Sequence, residues 1–410
     1  MFKNIFLLTI VQSTNYLFPL LLLPFLVRVL GPQEYGMLMI AQAIIQYFII
    51  VVDYGFNFSS TKKIALSGSQ QEIDTVYTQT MNARIILFII GLSIIAILFS
   101  GFELSKIPAA LVYISVLSVI GNLLFPIYLF QGLEKMKDIM WISILSKFLM
   151  LASTFLLVKN EQDLNLAAFC MTLQYLLPGI ISIFYVKTKK IACYTGFSFR
   201  SAVKELRHGS ALFISQMATT FYTTFNTLLL GYFFPAALVG QYAAADKMRL
   251  AAQSLLNPVQ QVVFPRVNKE RKHIYKIIGK YSLLMLLPGL CMAIVSLFIG
   301  QKVALWYLGS EYVLASKLFV LMMLLIPVIS LAVVFGHWGL IVVGKEKALT
   351  KIYCFAAVLH VMYSIALVQK YSTYGMVLSV LLTEAIVTIL IVIAFIRYRS
   401  SYEKAQSLIP

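Results

Sequence analysis

About 12 apolar runs of roughly 20 residues divide this chain, and that length of helix is what crosses the hydrocarbon of a bilayer. The runs cover residues 5–27, 37–61, 81–101, 107–130, 139–158, 164–186, 209–233, 240–265, 281–304, 313–338, 351–369 and 374–396. Lipid offers the backbone no hydrogen-bond partners, so runs of this length predict an all-α integral membrane protein. Hydrophobic residues make up 60% and charged residues 12% of the 410, which excludes an ordinary soluble domain. The run at 5–27 follows a single Lys3 and has no small-residue cleavage site before Arg28, so it reads as a retained first span. Four dispersed cysteines form no CxxC or His/Cys cluster, and neither a disulfide framework nor a metal site is expected.

The formal charge of +17 is distributed by side rather than by domain. Of the 33 basic residues, 25 fall on the termini and on one set of alternate connections, six on the other set, and Lys247 and Arg249 on neither. By the positive-inside rule both termini are cytoplasmic and the number of spans is even. The positive charge is then a topology signal, and nucleic acid is not an expected partner.

Self-comparison reveals a duplication. Gln12 matches Gln216, the turn ending at Gly36 matches the one ending at Gly240, and Tyr77 matches Tyr281, each 204 residues apart. After a small insertion, Gly132, Glu134 and Lys135 recur as Gly344, Glu346 and Lys347. The repeat predicts two six-helix lobes in the same orientation, 1–186 and 209–396, a cytoplasmic linker at 187–208 and a cytoplasmic tail at 397–410. Within the linker, Phe199, Val203 and Leu206 share a face opposite Arg200, Lys204 and Arg207. Such a segment is either a short helix on an anionic leaflet or a solvated basic loop.

The stretch 240–266 is span-like yet carries charge. Asp246, Arg249, Gln253 and Asn257 follow one another by three or four, so they form one polar stripe, with Lys247 at its edge. Span two carries a comparable row in Gln42, Gln46, Asp53 and Asn57, while spans one and seven add Gln12, Asn15, Gln216 and Thr220. Four helices thus offer polar faces to one central cavity. Arg249 is the leading candidate for holding an anion there, because a guanidinium stays charged when desolvated and presents a bidentate fork. Its alternative is an internal pair with Asp246. Arg28, Arg84 and Lys247 are further candidate cations, against snorkelling for Arg28 and topology anchoring for Arg84. Asp53 and Glu384 are isolated deep carboxylates that could couple transport to a proton or sodium gradient, or bond structurally to a neighbouring helix. His337 and His360 read as satisfied core residues. No P-loop, HExxH, nucleophile elbow or spaced carboxylate pair is present, so neither catalysis nor a bound cofactor is expected.

The phrases LVRVLGPQEYG (26–36), DYGFN (53–57), FPIYLFQGLEKMK (125–137) and LLNPVQQVVFPR (255–266) resemble the polysaccharide-transport branch of the multidrug/oligosaccharidyl-lipid/polysaccharide (MOP) exporters, and within it the Wzx-type O-antigen repeat-unit flippases. The resemblance implies a MATE-like fold in the bacterial inner membrane. It also implies transfer of an undecaprenyl-pyrophosphate-linked oligosaccharide from the cytoplasmic to the periplasmic leaflet by alternating access, with Arg28 and Arg249 as the positions fitting the cavity arginines of related flippases. Other polysaccharide-assembly membrane proteins are further candidate partners. A multidrug/cation antiporter of the same architecture is the alternative, and a membrane-embedded polymerase or sugar transferase ranks below it because the outer connections are only about 4 to 10 residues long.

Overall fold

The computed structural model describes residues 2–101, 107–269 and 274–407. Its helices are α1 (Phe2–Asp53), α2 (Phe56–Leu66), α3 (Gln70–Gly101), α4 (Ala109–Leu124), α5 (Ile127–Gly132), α6 (Met136–Leu157), α7 (Leu164–Thr188), α8 (Phe199–Phe233), α9 (Ala236–Ser254), α10 (Asn257–Lys269), α11 (Ile274–Val295), α12 (Gln301–Leu308), α13 (Val313–Met323), α14 (Leu325–Ala332) and α15 (Glu346–Ser407). Wider π turns occupy Ser296–Gly300 and Val333–Ile341. Among the described residues there is no strand.

Eight helical stretches of the described residues are long and apolar enough to cross a membrane. Two of them, Leu17–Leu66 and Glu346–Tyr398, are longer than one crossing needs, and each is broken inside: at Gly31 (φ 65°) and at Ser372 (φ 53°). Gly31 is the residue type that takes a left-handed φ at no steric cost, and Pro32 then starts the next segment where its missing N–H is no loss. The other two expected spans correspond to α8 and to α9 with α10. The expected spans are thus all helical.

Several spans break where the sequence places Pro or Gly. Span two stops at Asp53, turns through Tyr54 and Gly55 (φ 44° and 77°) and resumes as α2. Span four breaks at Phe125–Pro126 between α4 and α5, and span eight breaks between α9 and α10 just before Pro258. Proline clashes with the preceding turn and removes a donor, so each break frees carbonyls that need other partners.

Two compact units emerge. One holds Met1–Thr220 with Pro235–Gly240, the other Phe221–Phe234 with Gln241–Pro410. The last residues of the expected linker are helical: α8 begins at Phe199 and runs without interruption into span seven, so the basic amphipathic stretch is its first turns. Ala202, Glu205 and Gly209 face inward there, with Arg200, Lys204 and Arg207 exposed.

Within the first unit the starts of α9 and of the 32–53 segment cross at contact distance. A Cβ on Gly36 would lie 1.8 Å from the Ala236 carbonyl oxygen, and one on Gly240 would lie 2.2 Å from the Pro32 carbonyl oxygen. The Ala237 N–H donates to Gln33 Oε1 at 3.0 Å beside them. Positions 32 and 236, 33 and 237, and 36 and 240 are equivalent in the 204-residue repeat. The two glycine contacts are therefore one contact made twice.

Candidate functional site

In the second unit the stripe on α9 is a hydrogen-bonded row. Arg249 donates from Nε and Nη2 to Asp246 Oδ1 at 2.9 and 2.7 Å, and from Nη1 to Gln253 Oε1 at 2.6 Å. The helical spacing of three and four brings these groups onto one face, so the pairing needs no other element. Arg249 is 9% exposed, Asp246, Gln253 and Asn257 are half-buried, and Lys247 is exposed. The internal pair with Asp246 is formed, and it uses three of the guanidinium's five N–H donors together with the Gln253 contact. Glu384 on α15 has no hydrogen bond or ion pair among the described residues, and Arg249 is the cation whose field it feels.

Beside this row lies a network that sequence reading missed. His360 is fully buried, with Nδ1 2.6 Å from Thr383 Oγ1 and Nε2 2.8 Å from Asn226 Oδ1, and the Tyr363 hydroxyl meets the same Thr383 oxygen. An amide oxygen only accepts, so Nε2 carries a proton. His360 is satisfied in the core, as expected. Thr383 lies on α15 beyond the Ser372 break and Asn226 on α8; the available signal was that Asn226 continues the Thr219, Thr223 row of span seven and that Thr383 precedes Glu384.

In the first unit Arg84 ties two helix breaks together. Nη2 donates to Asp53 Oδ1 at 2.8 Å and to the Asn122 carbonyl at 2.7 Å, and Nη1 donates to the Phe125 carbonyl at 3.3 Å. Asn122 Nδ2 donates to the same Asp53 oxygen at 2.9 Å. The carbonyls are those released where α4 ends before Pro126, and a cation at a helix C-terminus also meets the negative end of its dipole. Arg84 is 1% exposed. Arg84, expected among the cations that could meet an anion, has its guanidinium committed to the DYGFN and FPIYLF breaks, and Asp53 takes the structural alternative, held by Arg84 and Asn122 rather than standing isolated.

Of the other candidates, Arg28 is exposed three residues before the Gly31 break, and Gln42, Gln46, Asn57 and Thr220 are half-buried. Gln42 has its amide nitrogen buried without a partner among the described residues. The side chains of Gln12, Asn15 and Gln216 lie outside the described residues. Arg84 and Arg249 belong to different units. Among the described residues no group of three or more His, Cys, Asp or Glu is placed to hold a metal ion.

A model of the family described as polysaccharide biosynthesis protein matches residues 1–270. A Shigella dysenteriae protein whose name proposes O-antigen transport is 36% identical over 389 residues, covering 94% of this chain and 98% of the relative. The chain belongs to the polysaccharide biosynthesis protein family. Membership fits the four phrases that carried the resemblance, two of which meet at Arg84. Among solved structures, the lipid II flippase MurJ in an inward closed conformation is similar with a TM-score of 0.78 at 12% identity, over 94% of this chain and 86% of that one. An inward-facing multidrug resistance MATE transporter of the MOP superfamily is similar with a TM-score of 0.63 at 14% identity, over 95% and 99%. This member of the polysaccharide biosynthesis protein family has the MOP fold and is a multi-pass membrane protein.

Proposed function

We propose that the protein is a flippase that moves undecaprenyl-pyrophosphate-linked O-antigen, or a similar surface-polysaccharide repeat unit, from the cytoplasmic to the periplasmic leaflet by alternating access. It sits in the bacterial inner membrane with both termini cytoplasmic, which the asymmetry of its basic residues supports. The polyprenyl tail can stay in lipid throughout. The diphosphate and sugars cannot, since a single charge at the bilayer centre costs about 2.5–3.5 kcal/mol even on lenient scales.

The observation that carries the reading is Arg249, a nearly buried cation on a polar helix face with two N–H donors not taken by Asp246 or Gln253. A cation exporter of the same fold would instead need an acidic site, and here Asp53 and Asp246 are each paired to an arginine. Arg249→Ala should reduce surface polysaccharide more than tenfold at matched membrane abundance, with Arg249→Lys retaining part of it. Because the alanine variant strands Asp246, the Asp246→Asn/Arg249→Ala double variant is the cleaner measurement. Normal polysaccharide from that double variant would remove Arg249 from the mechanism.

Coupling to a proton or sodium gradient falls on Glu384 in this proposal, because Asp53 is held in an ion pair while Glu384 has no hydrogen bond among the described residues. Glu384→Gln should transport with no response to a collapsed gradient in reconstituted vesicles. An unchanged response would make Glu384 structural.

A further inference from the structure

The connection between the halves is docked along α3 by a register match. Gln70, Asp74, Thr78 and Asn82 recur every four residues, forming one ridge of the helix that rises about 6 Å per step. An extended chain rises about 6.6 Å per two residues. The residues at 191–196 run beside the ridge in that ratio. Gln70 Nε2 donates to the Ile191 carbonyl at 3.0 Å, Asp74 Oδ1 accepts from the Cys193 N–H at 2.8 Å, and Thr78 Oγ1 accepts from the Thr195 N–H at 3.0 Å. At the far end Asn82 Nδ2 donates to the Gly196 carbonyl at 3.1 Å, while its Oδ1 accepts from the Tyr194 hydroxyl at 2.7 Å.

The start of this strap is buried, while residues 193–196 are exposed and held by the ridge. Ile191 and Ala192 pack into the apolar cluster that includes Ile64, Tyr77, Met81 and Tyr128. Beyond the strap, Glu205 is 1% exposed and takes Lys63 Nζ at 2.5 Å with Ser60 Oγ at 3.4 Å. Further along α8, Phe213 stacks on Tyr54 with ring centroids 4.3 Å apart. All these residues fall in the first unit, and α8 passes into the second only beyond Thr220. A tether that had to swing would be short of such contacts, because flexible linkers owe their freedom to small residues and a solvated backbone.

We infer that residues 191–207 are a fixed part of the N-terminal unit throughout transport, carried with it as one body. This rests on reading the protein as a transporter. The test is a Thr78→Cys/Thr195→Cys pair in a Cys193→Ser background, since the two threonine γ-oxygens lie 3.2 Å apart and a disulfide needs close, facing side chains. The protein is reconstituted in vesicles supplied with a polyprenyl-pyrophosphate-linked oligosaccharide, then oxidised. Transport by the oxidised pair should stay within twofold of the reduced pair. A tenfold or greater loss that reductant reverses would overturn the inference, because the strap would then have to leave α3 in each cycle. If neither oxidant nor a short bis-maleimide joins the two thiols, the docking itself is refuted. The unmodified chain runs in parallel, and its failure to move the oligosaccharide would sink the transport reading instead of the strap.

Discussion

Arg84→Ala is expected to deplete folded protein from the membrane rather than leave an inactive but intact transporter. The side chain satisfies one carboxylate and two carbonyls at the ends of broken helices. Its removal leaves Asp53 as a half-buried charge whose remaining hydrogen bond among the described residues is from Asn122. Breaking a buried pair from one side costs about 3–5 kcal/mol, against a total stability of about 5–15 kcal/mol for a typical protein. Lysine should recover little, because one ammonium cannot replace a fork that reaches Asp53 and both carbonyls. Thermal unfolding in detergent measures this directly. The informative comparison is Asp53→Leu/Arg84→Met, which removes both charges and should regain most of the stability lost in Arg84→Ala. If that double variant folds and carries substrate normally, Arg84 is a staple. If it folds and carries none, the Asp53–Arg84 pair serves transport beyond holding the helix breaks together.

Gly240→Leu is expected to abolish the crossing of the two helix starts and to lower transport more than tenfold. A Cβ at position 240 would sit 2.2 Å from the Pro32 carbonyl oxygen and 3.0 Å from the Gly36 nitrogen. These are backbone atoms, so no rotamer change relieves the clash, and the helices must separate. The direct readout is a Gln33→Cys/Ala237→Cys pair, which should cross-link readily in the parent chain and not in the Gly240→Leu variant. Persistence of that cross-link with normal transport would show that the crossing tolerates a side chain and is not needed.

Patterns along the chain carried the architecture. Apolar length marked the spans, the 204-residue offset marked the duplication, and periodicity of three and four placed Asp246, Arg249 and Gln253 in one row because all three lie on a single helix. Partnerships between helices were not legible. Asp53 and Arg84 are 31 positions apart, and nothing in either local pattern says which of many helix faces each one meets. The docking ridge on α3 escaped for a different reason. The helix begins at Gln70, well before the apolar run starting at 81, and polar residues at helical spacing, three of the four ahead of that run, carry no sign of what they pair with. His360 was legible as buried and satisfied, but its partners Asn226 and Thr383 depend on tertiary packing.

The crossing at Gly36 and Gly240 has a symmetry with a consequence for the repeat. When one patch meets its own copy, residue i touching j while j touches i, the arrangement is that of an isologous dimer about a two-fold axis. Pro32 with Gly240 and Ala236 with Gly36 satisfy that relation under the 204-residue offset. A single six-helix ancestor could have associated with itself through this one surface, and fusion of the two genes would preserve the contact as a seam inside one polypeptide. On that view each glycine constrains the other, and the halves are not free to diverge independently where they touch.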